Sequence, residues 1–406
     1  MKHPMRTYAG WLGGVIAGAL VLAAILTSLV DPWRVVGAPW SIKSLEPYRE
    51  IGDAVRVGKT GMVRRGAEWE AAVFGTSHME IGIDPRHPSF GGMRTINLGM
   101  AGSSILENVA LCRYLMEQSQ SLKLVIFGVD PGDICTDLDT RKNTDFPNSR
   151  LADTGFSIER ELGYVFGVPA VEASFVLLGN ALREKKSERD ELGFWNNFYI
   201  MPDIRRHVTG YAPKLFKHEA EMWAERPQPP RAAKVTTLTE LIVSLRARGV
   251  RVLVVYPPAH ALLLVHPSEN LPATIPWAAE RRALTAVCVE ANRHPSSGPP
   301  AEFWDFLTPI APADESLPVL TAGDQSMPRW FDLLHFNSEI GSLMVKRMME
   351  DNADPADVTR FGVRVDSDNL EAHLAAIREA HRRYCETRRD DVAWARELMG
   401  NLSAQR

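Results

Sequence analysis

The sequence predicts an α/β protein: a three-layer sandwich with a central parallel sheet, joined to a helical insertion and to one long apolar helix near its start. Three observations carry this. Between residues 70 and 350, short apolar runs alternate with segments of helical periodicity, as in successive βαβ units. The runs are continuous rather than alternating in polarity, as strands covered on both faces require. Residues 11–30 hold no charged side chain, and a helix of that length spans about 30 Å, the thickness of a bilayer core.

Taken in order, Lys2 and Arg6 precede the uncharged stretch and Asp31-Pro32-Trp33 closes it. Positive charge ahead of a span predicts a cytoplasmic segment over residues 1–10, a transmembrane signal anchor over 11–30 and the remainder outside the cytoplasm. A cleaved signal peptide is the competing expectation, but the run is longer than a signal core and no clean Ala-x-Ala site follows it. The absence of a polar face argues against a buried soluble helix. Residues 31–68 read as a polar connector.

The α/β domain is expected over 69–134 and 236–352. Its strands are predicted at 70–74, 95–98, 122–129, 251–256 and 302–306. Its helices are predicted at 104–118, 238–248, 281–292 and 338–350, the first of them from Ile105, Val109, Leu111 and Leu115 at helical spacing. Residues 135–235, rich in charge, aromatics and proline, are too many for a simple loop. They read as a mostly helical insertion covering part of the site, with an apolar helix at 168–182. Residues 353–406 read as a polar helical extension that packs on the domain or serves a partner.

Composition excludes several functions. Lys and Arg number 46 against 50 Asp and Glu, a net charge of −4 with mixed signs, so there is no nucleic-acid footprint. No phosphate loop or dinucleotide fingerprint is present. No His, Cys, Asp or Glu cluster has metal spacing, and neither metal nor cofactor is expected. Cys112, Cys135, Cys288 and Cys385 are scattered; an oxidising compartment allows one or two disulfides, and buried free thiols fit equally well.

In an open α/β sheet ligands bind beyond the carboxyl ends of the strands. Ala72-Val73-Phe74-Gly75-Thr76-Ser77-His78 puts a hydroxyl at the end of the first strand. Asn97-Leu98-Gly99 with Gly102 follows the second, Asp130 the third, and Tyr256-Pro257-Pro258-Ala259-His260 the next. Asp332-Leu333-Leu334-His335 precedes the last helix of the domain. Taken alone, a serine after a strand is a natural helix cap. Together with Asp332 and His335, Ser77 completes a nucleophile, a base and an orienting carboxylate.

These blocks resemble the SGNH (GDSL-type) hydrolase superfamily, whose sheet is flavodoxin-like. Within it they are most similar to the membrane-anchored bacterial branch associated with cell-surface polysaccharides, which includes alginate acetyltransferase-like proteins. Gly75-Thr76-Ser77 matches the first block with its nucleophile. Asn97-Leu98-Gly99 with Gly102 resembles the second, whose glycine donates a backbone N–H to the oxyanion. Asp332-x-x-His335 matches the last. The resemblance covers residues 70–130 and 235–350. It implies Ser77 as nucleophile, His335 as base, Asp332 as orienting acid, and the N–H groups of Ser77 and Gly99 or Gly102 as oxyanion hole, one such donor being worth about 3 kcal/mol. It also implies a single-pass protein of the bacterial inner membrane with its domain in the periplasm or outside the cell. A surface polysaccharide would be its substrate and a membrane-embedded acyl-donating protein its partner.

One position departs from the pattern. The third block normally supplies an asparagine to the oxyanion hole, and Asp130 stands there instead. An ionised carboxylate facing an oxyanion opposes it, so Asp130 must be protonated, turned away or there for another role. That is compatible with a specialised transferase or with a degenerate glycan-binding or assembly component. Around this core, Asn97, Asp130, His78, Tyr256 and His260 are candidate substrate or supporting residues, with His78 placed beside the site and His260 at its rim. Glu80 and Asp84 are expected to orient the first turn. Trp195, Phe198, Tyr199 and Trp223 could stack on sugar rings or form the core of the insertion. His87, His207, His218, His266 and His294 read as surface residues.

Overall fold

The computed structural model describes residues 4–65, 68–137, 139–152, 156–196, 229–265, 278–317 and 327–404. Phe198, Tyr199, Trp223, His207, His218 and His266 lie outside these residues. The chain divides into two compact units, Met1–Ala67 with Arg141–Glu191, and Glu68–Thr140 with Leu192–Arg406. Residues 135–235 are therefore shared between the two.

The second unit is built on six strands: β1 (Ala71–Phe74), β2 (Thr95–Asn97), β3 (Leu124–Gly128), β4 (Arg251–Tyr256), β5 (Glu302–Asp305) and β6 (Val363–Val365). They form one sheet in the order β2-β1-β3-β4-β5-β6. The first five pair in parallel, and β6 closes the edge antiparallel to β5. Every residue of β1, β2 and β3 is buried, which is why their sequences are near-continuous apolar runs. The order 2-1-3-4-5 is the flavodoxin-type winding, and its direction reverses at β1 and β3, where such sheets bind ligands.

Right-handed crossovers then assign the helices to faces. The connections from β2 to β3, β3 to β4 and β4 to β5 run the same way, so α4 (Ile105–Gln118), α7 (Ala232–Ala247) and α8 (Ala278–Arg293) belong to one face; α4 packs on α7 and α7 on α8. The connection from β1 to β2 runs the other way and carries α3 (Ser77–Gly82), which packs on α9 (Ser338–Met349).

The C-terminal residues pack on this sheet. In α10 (Leu370–Thr387), buried His373 places Nε2 2.9 Å from Asp305 Oδ2, and the Arg281 Nε donates to the same oxygen at 2.5 Å. Burial alone would raise the Asp305 carboxyl, but Arg281 and His373 hold it below the usual carboxylate range. A final helix, α11 (Arg389–Ala404), follows.

The first unit contains α1 (Pro4–Val30), α2 (Val55–Arg65), α5 (Ile158–Phe166) and α6 (Val168–Leu182). By length and composition α1 can cross a membrane. Its C-terminal carbonyls, which have no partner within the helix, are met by buried Arg49: Nη2 donates to Val30 O at 2.9 Å and Nε to Asp31 O at 3.0 Å. Within the stretch read as a polar connector, α2 buries both Arg56 and Lys59.

Candidate active site

β1 ends in a turn that only glycine fits. Gly75 has φ +143°, and a Cβ there would lie 2.4 Å from Met79 Cγ. The turn delivers Thr76 as the N-cap of α3 and Ser77 as its first helical residue; the Thr76 side chain does not cap the helix. Ser77 is therefore no cap, and its hydroxyl is free for another partner. Its backbone N–H lies among the first amides of the helix, which have no intrahelical acceptor.

That partner comes from far along the chain. Residues 329–337 fold back on themselves, with Phe331 N donating to His335 O and Asn337 N to Arg329 O, both at 2.9 Å. Asn337 then caps α9 by accepting from Glu339 N at 3.0 Å. α9 approaches α3 through Gly341, where a Cβ would collide with Gly82 O. This contact sets His335 Nε2 2.9 Å from Ser77 Oγ.

On its other side His335 Nδ1 lies 2.8 Å from Asp332 Oδ2. Asp332 Oδ1 accepts the backbone N–H groups of Leu334 and His335 at 2.7 and 2.6 Å. Burial would raise the Asp332 carboxyl, yet His335 and these amides hold it below its usual range. An ionised carboxylate only accepts hydrogen bonds, so the proton sits on Nδ1 and Nε2 presents its lone pair to the Ser77 hydroxyl. Ser77 and His335 remain partly accessible. The arrangement can withdraw the serine proton and hold the resulting imidazolium.

Beside it stands a second imidazole–carboxylate pair. His78 Nδ1 lies 2.9 Å from Asp130 Oδ2, and the Thr76 hydroxyl donates to the same oxygen. The His78 ring stacks on His335, centroids 5.3 Å apart and planes 24° apart. Burial would lower the His78 pKa, but Asp130, Asp332 and a hydrogen bond with the Leu334 backbone raise it above its ordinary value. Burial would raise Asp130, but the His78 charge and the His78 and Thr76 hydrogen bonds lower it. Both shifts run towards a charged pair, the imidazole holding its proton more tightly and the carboxyl less. Of the three possibilities open for Asp130, these contacts favour another role: Oδ2 is bound by His78 and Thr76, while Oδ1 is buried with no hydrogen-bond partner among the described residues. Thr76 carried no signal in the sequence beyond lying between Gly75 and Ser77.

The other candidates separate into near and far. Asn97 is buried and structural; Nδ2 donates to Met79 O and Ile83 O, both at 2.8 Å, and Oδ1 accepts the Gly99 N–H at 2.9 Å. The Gly99 N–H is therefore occupied, which corrects its expected role as an oxyanion donor. Gly102 is exposed with φ +66° and makes no backbone hydrogen bond among the described residues. Glu80 accepts from Ala101 N at 3.1 Å, tying this loop to α3. Trp195 lies beside the same helix, its backbone N–H donating to Glu80 O at 3.1 Å.

Two candidates serve the fold instead. His260 is fully buried rather than at a rim; Nε2 bonds Glu315 O at 2.7 Å, Nδ1 accepts from Leu262 N at 3.2 Å, and burial lowers its pKa to about 4. Tyr256 is also buried, its hydroxyl donating at 2.5 Å to Glu280, which in turn accepts from Gly132 N and Ile134 N. All four cysteines are free thiols. Among the described residues no group of three or more His, Cys, Asp or Glu side chains could hold a metal ion.

Comparison with family models, curated proteins and solved structures finds no match. The site is therefore read from its own geometry.

Proposed function

We propose that the protein is a membrane-anchored, extracytoplasmic serine enzyme of acyl esters, an O-acyltransferase or esterase acting on a cell-surface polysaccharide. The observation that carries the chemistry is the Ser77–His335–Asp332 chain, with links of 2.9 and 2.8 Å at the switch point of the sheet. The glycan, the donor protein and the inner-membrane setting come from the resemblance of the sequence blocks and from the apolar α1.

In this mechanism Ser77 Oγ attacks the acyl carbonyl while its proton passes to His335 Nε2. Asp332 holds the ring and balances the imidazolium. The N–H groups of Ser77 and Gly102 are the candidate donors to the oxyanion. The leaving alcohol takes the proton back from His335, leaving an acyl-serine. Water then gives hydrolysis, and a sugar hydroxyl gives transfer.

A non-catalytic glycan-binding role drew its support from Asp130 and the C-terminal extension. Asp130 Oδ2 is engaged by His78 and Thr76 and α10 of the extension packs on the sheet edge, which weakens that support. A fluorophosphonate probe should label the protein on Ser77, and p-nitrophenyl acetate hydrolysis should vanish in Ser77→Ala. Equal labelling and turnover by the two forms would end the serine assignment.

A further inference from the structure

α5 carries its apolar stripe on the wrong side for a soluble protein. Ile158, Leu162 and Phe166, one turn apart, are all exposed, while Tyr164 points inward. α6 continues the pattern with Val168, Phe175 and Leu182 exposed, Leu182 at 87%. Scattered exposed apolar residues are ordinary, but contiguous stripes on two successive helices mark a binding surface. Glu172, one turn after Val168, is exposed on this same side of α6 and interrupts the stripe beside a cleft within the unit that it helps line.

The place of these helices identifies what covers the stripes. Both pack on the last turns of α1: Thr27 donates to Val165 O at 2.9 Å, and Leu26 and Val30 pack with Leu177, Leu178 and Ala181. Residues 8–22 of α1 are bare, while most of 23–30 is shielded. The bare stretch rises about 22 Å at 1.5 Å per residue, against a hydrocarbon core about 30 Å thick. α5 and α6 pack on the turns of α1 that follow this stretch, and interfacial helices bury themselves about 5–10 Å.

By length and composition Ile158–Leu182 taken as one helix could cross a membrane, but the segment is not one straight helix. α5 and α6 are separate, broken at the extended Gly167, and at about 14 and 22 Å neither crosses the core alone. Arg183-Glu184-Lys185-Lys186 follows Leu182 directly, all exposed and net basic, suiting the headgroup level.

We infer that α5 and α6 form a lipid-embedded collar around the emerging end of α1, seated in the interface of the same bilayer. The inference rests on α1 spanning that bilayer. It makes residues 158–182 a membrane-surface element.

The full chain in phosphatidylcholine–phosphatidylglycerol vesicles tests it. In a Cys385→Ser background, Leu20→Cys, Leu162→Cys, Phe175→Cys and Lys186→Cys each carry an environment-sensitive fluorophore, read against lipids with nitroxides near the headgroup or deep in the chain. Leu162 and Phe175 should shift to the blue and be quenched more by the shallow nitroxide; Leu20 should favour the deep one, and Lys186 should remain aqueous. Quenching at Leu20 with none at Leu162 and Phe175 overturns the collar and leaves the anchor standing, including where crosslinking then finds a second chain on the stripes. No quenching at Leu20 removes the anchor, and the collar with it.

Discussion

Asp332→Asn is the most informative single change. Asp332 makes three contacts with two oxygens: Oδ1 accepts two backbone amides at 2.7 and 2.6 Å, and Oδ2 takes the His335 Nδ1 proton at 2.8 Å. Asparagine has one acceptor oxygen and one NH2. Turning the NH2 towards the amides would leave donors facing donors, at about 1–3 kcal/mol for each stranded group. The oxygen therefore stays with the amides, and the NH2 meets Nδ1. Nδ1 must then be the bare nitrogen, the ring proton moves to Nε2, and an N–H rather than a lone pair faces Ser77 Oγ across 2.9 Å. The fold is retained while the base is lost. Acylation should fall about 10⁴-fold, or about 5.5 kcal/mol of barrier at 1.36 kcal/mol per factor of ten. The assay is the second-order rate of fluorophosphonate labelling, with the thermal midpoint measured alongside. A variant that labels within tenfold of the parent, with its fold intact, would refute the orienting role.

Three further outcomes follow from the other contacts. Asp130→Asn should destabilise by about 2 kcal/mol through loss of charge-assisted hydrogen bonds. His78 is raised from 6.5 and Asp130 lowered from 3.8, so the His78 contribution is complete below pH 6.5 and fades as pH rises through its higher folded value, whereas that of Asp130 is present above 3.8 and fades below it. The gap between parent and variant in urea unfolding should be widest between those limits and shrink on either side; a gap independent of pH would contradict the paired charges. Asp305→Asn leaves the buried Arg281 without its counter-charge and should cost about 3–5 kcal/mol, read as a lower unfolding midpoint. Iodoacetamide should modify native protein at Cys385 alone, because Cys112, Cys135 and Cys288 are buried and burial raises Cys135 and Cys288 to about 12; reducing agent should leave the midpoint unchanged.

The buried strands were legible because a doubly covered strand has no polar alternation to hide it, and 251–256 is found as read. β6 was not, being three residues with Arg364 at their centre. α2 was hidden because Arg56 and Lys59 look like solvent-facing charges, although both are buried. The triad was legible as residue types in order. Its environment was not: the pairing of His78 with Asp130 crosses 52 residues and depends on β1 lying beside β3. In the same way the Asn97 side chain fills the Gly99 amide through local geometry that spacing does not encode. The apolar run at 168–182 was plain, but which of its sides stays uncovered depends on how it meets α1.

Ser77 and His335 are separated by 258 positions, and that distance bears on how the protein matures. Contacts of such separation slow folding because loop-closure entropy is spent before they form. Ser77 lies in a local turn, whereas its base stands beside it only in a chain whose residues 329–337 have also folded back onto α3. Partly folded chains would thus carry an unactivated serine, harmless to nearby esters. Catalytic turnover would then count completed molecules, which makes it a stricter measure of correct folding than helical content.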